Sequence, residues 1–202
     1  MDRLLPNRQT GLSHRRICSS LGVVTAFAAV MLSSGMVLRG QAKPTEYDVK
    51  AAYLFNFGKF LRTSSIAAPT RATFDICVVG QDWMGRTLDS VAENEEIDHR
   101  PVRVRRVKSA PEGRSCDIAF VSASEGDRIE SDLVEFHGAD VLTVSDAPRF
   151  LAQGGMIQFV VVANHVRFAV NLDAVKRSHL VLSSELLRVA VSVSSAPAEV
   201  QP

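Results

Sequence analysis

The sequence predicts one α/β domain, a mixed β-sheet flanked by helices on both faces, with a C-terminal β-hairpin and a closing helix. Three observations lead there. Short runs rich in β-branched and aromatic residues, such as Thr73–Val79 (TFDICVV) and Ile118–Val121 (IAFV), have the composition of strands. They alternate with segments whose apolar residues recur at three- and four-residue spacings, as helices laid on a sheet do. Near the C-terminus two strand-like runs follow each other across a connection too short for a crossover, which makes them antiparallel and the sheet mixed.

The elements follow in order. Thr45–Leu61 is a helix: Val49, Ala52, Tyr53, Phe57, Phe60 and Leu61 make one broad apolar stripe, Thr45 is suited to the N-cap and Glu46 to the first turn. Thr63–Arg71 is loop. Thr73–Val79 is a strand ended by Gly80, and Trp83–Ala92 a helix. Glu93–Arg100 is charged and exposed. Val102–Val107 (VRVRRV) alternates as a strand with one wet face does. Ile118–Val121 is a buried strand, Arg128–His137 a helix, and Val141–Val144 a further strand. Asp146-Ala147-Pro148 opens a turn, and Arg149–Gln153 is a short helix stopped by Gly154-Gly155. Met156–Val162 and Val166–Asn171 form the hairpin around Ala163-Asn164-His165. Ser183 or Ser184 caps a last helix that runs through Ala190, and residues 194–202 are a frayed tail.

The ends of the chain differ in kind. Arg3, Arg8, Arg15 and Arg16 precede an uncharged run whose centre is Leu21–Leu32, and small residues lead to Ala42. A basic start, an apolar middle and a small-residue end are the parts of a secretory signal. Residues 1–42 are therefore expected to export the domain formed by residues 43–193, with cleavage near Ala42. The same run is long enough to serve as an uncleaved anchor, and the arginines before it still direct the domain outward. Residues 43–202 carry 18 basic and 21 acidic side chains. A mildly acidic domain has no electrostatic footprint for nucleic acid.

After export two cysteines remain, Cys77 and Cys116. Two readings are open: one disulfide closing a loop of about 40 residues, which an oxidising compartment favours, or two buried thiols packed as small hydrophobes.

The residues offer little chemistry. Val79-Gly80-Gln81-Asp82 lacks both the dinucleotide and the Walker glycine signatures. His99, His137, His165 and His179 have no metal-ligand spacing, so no metal and no cofactor are expected. Asp146, at a strand end where open α/β sheets bind ligands, is a weak ligand candidate together with Arg167 and Asn171. Turn initiation for Asp146 and a structural ion pair for Arg167 are the plainer readings. Arg103, Arg105 and Arg106 read as a solvated face beside Glu93, Glu95 and Glu96.

Three segments together resemble the YfiR family: Glu46–Phe60 (EYDVKAAYLFNFGKF), then Val141–Asp146 (VLTVSD) leading to Gly154-Gly155-Met156-Ile157, then Val166–Asn171 (VRFAVN) leading to Leu182–Leu187 (LSSELL). The resemblance implies a periplasmic regulator without catalytic activity. It implies repression of an inner-membrane diguanylate cyclase through that enzyme's periplasmic domain, and sequestration of the repressor by an outer-membrane lipoprotein. It also implies a homodimer, and a stabilising disulfide at Cys77 and Cys116. A second cysteine pair that some members carry near the Gly-Gly segment is missing from this sequence. For a docking surface the aromatic helix is the candidate, with Tyr53, Phe55, Phe57 and Phe60. Phe55, two residues from both Tyr53 and Phe57, is expected on another side of the helix, exposed to a partner or packed on a neighbouring element. The alternative function is a small-ligand sensor that reports to a membrane receptor, kinase or transporter, because a fold does not fix a function.

Overall fold

In a computed structural model of the protein, residues 43–63 and 71–195 are described. The expected signal segment, most of the expected loop and the tail beyond Ser195 lie outside the described residues.

The first helix, α1, spans Glu46–Phe60. Thr45 and Asp48 set its start through a capping box: the Thr45 hydroxyl accepts from the Asp48 backbone N–H at 3.2 Å, and the Asp48 carboxylate accepts from the Thr45 N–H at 2.8 Å. The chain leaves α1 as β1 (Leu61–Thr63), which pairs antiparallel with β9 (Leu180–Leu182). Three-residue strands carry too little periodicity to be read in a sequence.

The main sheet has eight strands. In chain order they are β2 (Phe74–Val79), β3 (Glu96–Ile97), β4 (Arg100–Val107), β5 (Ile118–Val121), β6 (Leu142–Ser145), β7 (Ile157–Val162), β8 (His165–Asn171) and β10 (Ser192–Ser194). Their spatial order is β10-β8-β7-β6-β5-β2-β4-β3. The run β4-β2-β5-β6-β7 is parallel, while the β3–β4 and β7–β8 pairs are antiparallel. The sheet is therefore mixed, as the sequence predicts.

Alternation along the central strands sorts side chains to two cores. Ile76, Val78, Ile118, Phe120, Leu142 and Val144 face one side, where α1 and α2 (Gly85–Ala92) pack. Cys77, Val79, Ala119 and Val121 face the other, against α3 (Ala110–Gly113) and α4 (Ile129–Glu135). Burial on both faces explains why β2, β5 and β6 read as continuous apolar runs. Two more short helices, α5 (Leu172–Arg177) and α6 (Ser184–Val189), join the first core through Val175 and Leu186. Ser183 caps α6 by accepting from the Leu186 N–H at 3.3 Å.

Several expectations need correction. Glu93–Arg100 is not simply a charged loop, because Glu96–Ile97 forms β3 and Ile97 is buried. Arg149–Gln153 is a set of turns rather than a helix: Arg149 has φ of +63°, off the right-handed helical basin. Phe150 lies buried there against Gly155, where a Cβ would strike its ring. The hairpin turn is two residues long, not three. Ala163 and Asn164 take φ of +47° and +61°, the left-handed pair of a type I′ turn, and Val162 faces His165 across it. Ser194, expected in the tail, pairs with Asn171 in the edge strand β10.

The strand order also fixes where the chain reverses direction across the sheet. β2 begins the parallel run yet lies inside it, between β4 and β5. In such doubly wound sheets ligands enter at the carboxyl ends beside this reversal. Here the protein's own side chains fill that crevice. Gly80, at φ of +84°, passes directly beneath Ser124 and Glu125, and the Gln81 N–H donates to the Ser124 hydroxyl at 2.8 Å.

Candidate functional site

The polar centre of the molecule lies at the carboxyl ends of β5 and β6. Asp146 leaves β6 and accepts at both oxygens: from the Ala123 backbone N–H at 3.1 Å and from Lys50 Nζ at 2.9 Å. Lys50 projects from α1 and also reaches Glu46, one turn earlier, at 2.7 Å. Only 5% of Lys50 is exposed. Burial opposes its charge, but the hydrogen bonds it donates to Glu46 and Asp146 outweigh burial and hold the ammonium pKa above the ordinary lysine value. Lys50 stays charged and ties α1 to the end of the sheet. A shallow depression of about 270 Å³ opens beside this network, between Lys50, Asp146 and Pro148 on one side and Phe159–Val161 on the other.

Asp146, Arg167 and Asn171 do not form one site. Asp146 is committed to Lys50 rather than to Arg167. Asn171 is buried as the N-cap of α5, accepting from the Ala174 N–H at 3.1 Å and donating to the Leu151 carbonyl at 3.2 Å. Arg167 stands exposed on β8 and lines a different groove, of about 510 Å³, between the start of α1 and the β7–β8 hairpin. Lys50 was legible only as a cation inside an apolar stripe, with Glu46 four residues earlier.

The aromatic helix is likewise turned inward. Phe57 is fully buried and meets Phe168 edge-on with ring centroids 5.0 Å apart. Phe55 is 5% exposed, so it packs in the core and offers no docking surface. Tyr53 and Phe60 are half-buried, Tyr53 against Phe159 and Phe168.

The arginines of β4 pair with aspartates, not with the nearby glutamates. Arg103 contacts Asp75 at 2.6 Å, Arg105 the same carboxylate at 3.3 Å, and Arg106 reaches Asp82 and Asp89. Beneath them Cys77 and Cys116 are joined in a disulfide between β2 and the segment before β5, with Cα atoms 6.1 Å apart. Both half-cystines are fully buried. Among the described residues no cluster of side chains is arranged to hold a metal ion, and no helix is long and apolar enough to cross a membrane.

These features define a disulfide-stapled, doubly wound α/β domain whose ligand crevice is closed by its own chain. The YfiR/HmsC-like family profile matches residues 47–191, and the protein belongs to that family. The family is one of periplasmic regulators in cyclic-di-GMP signalling and is generally non-catalytic. The fold resembles the crystal structure of a conserved domain protein from Vibrio cholerae O1 biovar El Tor, with TM-score 0.51 and 11% sequence identity. That likeness covers 71% of this chain and 60% of the Vibrio chain, and speaks to fold alone. No curated protein matches the sequence.

Proposed function

We propose that this protein is a non-catalytic periplasmic regulator that binds the periplasmic domain of an inner-membrane diguanylate cyclase and represses it. The family match over nearly the whole domain carries this reading. Repression requires that the regulator bind the inactive state of the enzyme better than the active one. A rigid domain suits that role: its disulfide, its two packed cores and the buried Lys50–Asp146 tie leave little for the domain itself to rearrange. In the same reading residues 1–42 export the domain, the protein acts as a homodimer, and an outer-membrane lipoprotein sequesters it to release the enzyme.

The test has two parts, both with the full-length chain in its own host. Deleting the gene should raise cellular cyclic-di-GMP, and complementation should restore the lower level. The tagged chain should recover a membrane cyclase from detergent-solubilised membranes. Unchanged cyclic-di-GMP together with no recovered cyclase would refute the proposal.

A further inference from the structure

The β7–β8 hairpin reaches past the sheet that holds it. β7 is paired with β6 only at Ile157 and Gln158, so Phe159–Val162 have no strand on that side. On the other side β10 covers β8 only from Ala169 to Asn171, and His165–Arg167 project beyond it. The two-residue turn makes Val162 and His165 a hydrogen-bonded pair. By the alternation of an antiparallel ladder, the N–H and C=O groups of Phe159 and Val161 then point away from β8, to the side β6 has vacated. The Phe159 N–H closes the β6–β7 ladder on the Ser145 carbonyl, while among the described residues the Phe159 C=O and both outward groups of Val161 meet no hydrogen-bond partner.

Proteins ordinarily blunt such edges with charge, proline or a bulge. This edge reads Phe-Val-Val-Val, and Val161 and Val162 are 56% and 49% exposed. It borders the depression beside Lys50 and Asp146. At Val161 and Glu46 that depression meets the larger groove, whose rim carries Lys43, His165 and Arg167. Lys43 and Arg167 form no ion pair among the described residues, while Glu46 is held by Lys50. The open edge is thus apolar along its length and cationic at its tip.

We infer that the free edge of β7 is a docking edge for an extended, acidic segment of a partner protein. The segment adds a strand beside Phe159–Val162, takes up the Phe159 carbonyl and the outward N–H and C=O of Val161, and brings a carboxylate to the cations around Arg167. Backbone pairing supplies the contact, and the cations select an acidic partner over a neutral one. The inference takes from the proposed function only that a protein partner exists.

The experiment uses the full-length chain in its own host, with the photo-reactive residue p-benzoylphenylalanine introduced at Val161. A second chain carries it at Val134, which is equally exposed on α4. After irradiation the cross-linked segments are identified by mass spectrometry. The expected result is a cross-link from position 161 to an Asp- or Glu-rich segment of another protein. Arg167→Glu in the same chain should lower its yield at least fivefold with the melting temperature unchanged. Val161→Pro, which removes an outward N–H and leaves the β7–β8 bonds, should abolish binding. If Val161→Pro fails to fold, the exposed Arg167→Glu variant decides. Cross-links from position 161 only to a second copy, only to residues 1–42 or 196–202 of the same chain, or to nothing would each overturn the inference. A partner captured at position 161 that is neither a cyclase nor an outer-membrane lipoprotein would overturn the proposed function and leave the docking edge standing. A cyclase captured only through position 134 would do the reverse.

Discussion

Asp75 shows how a single residue escapes a sequence reading. It sits in β2, where every side chain is buried, and is itself 4% exposed. Burial alone would raise its pKa, but hydrogen bonds from Arg103 and Thr73 and the charge of Arg105 prevail and hold the carboxyl below its ordinary value. A depressed folded pKa means that the ionised carboxylate stabilises the fold above the unfolded value of about 3.9, and that this contribution is lost as pH falls through the folded pKa. Asp75→Asn should therefore lower stability at pH 7 by about 1 kcal/mol, a figure kept small because Arg103 is half-exposed and screened by water. The difference from the parent protein should shrink as pH falls below about 3.9 toward the folded pKa, as thermal melts at pH 7 and at acidic pH will show. The sequence displayed the arginines of β4 but not their partner, because Asp75 precedes them by about 30 residues and only parallel pairing of β2 with β4 sets Asp75 beside Arg103. Lys50 and Asp146 meet for a similar reason, across 96 residues of chain.

Elements that carry their own punctuation were legible. The Thr45 cap fixed the start of α1, and the Ser183-Ser184 pair marked that of α6, where Ser183 is the cap. The β7–β8 pair was legible as a hairpin from two β-branched runs in succession, but its turn was misjudged by one residue. Ala163 is the cause: an alanine at φ of +47° gives no signal of the left-handed conformation it adopts. Such a conformation costs an L-residue with a Cβ about 1 kcal/mol, and asparagine tolerates it better. Ala163→Asn should accordingly stabilise the hairpin by about 0.5–1 kcal/mol, read as a higher melting temperature and slower amide exchange at the tip. The short elements β1, β3, β9, β10 and α3 were not legible, since each exists only because a neighbour pairs with it or packs on it. The aromatic side chains of α1 were clear as a set, but their allocation was not. Phe55 lies off the main stripe and still packs in the core, because more than one element surrounds the helix.

At the scale of the whole molecule the disulfide is the main covalent constraint. It joins residues 39 apart in sequence, and the chain-entropy model gives about 4 kcal/mol for closing a loop of that size. Cys77→Ser should lower the melting temperature by about 10 °C under oxidising conditions. Reduction should bring the parent protein down toward the variant, and an oxidised parent that melts with the variant would show that the bond contributes nothing. The sequence by itself determined the fold class, the alternation of strands and helices, and the family, through segments that stay together in one helix or one strand. Beyond residue 42 it offered a single pairing, Cys77 with Cys116. Tertiary structure alone decided which polar groups meet, which aromatics are covered and which strand edge stays open. Each of those outcomes depends on residues distant in the chain arriving side by side, and local propensity carries no record of distant neighbours.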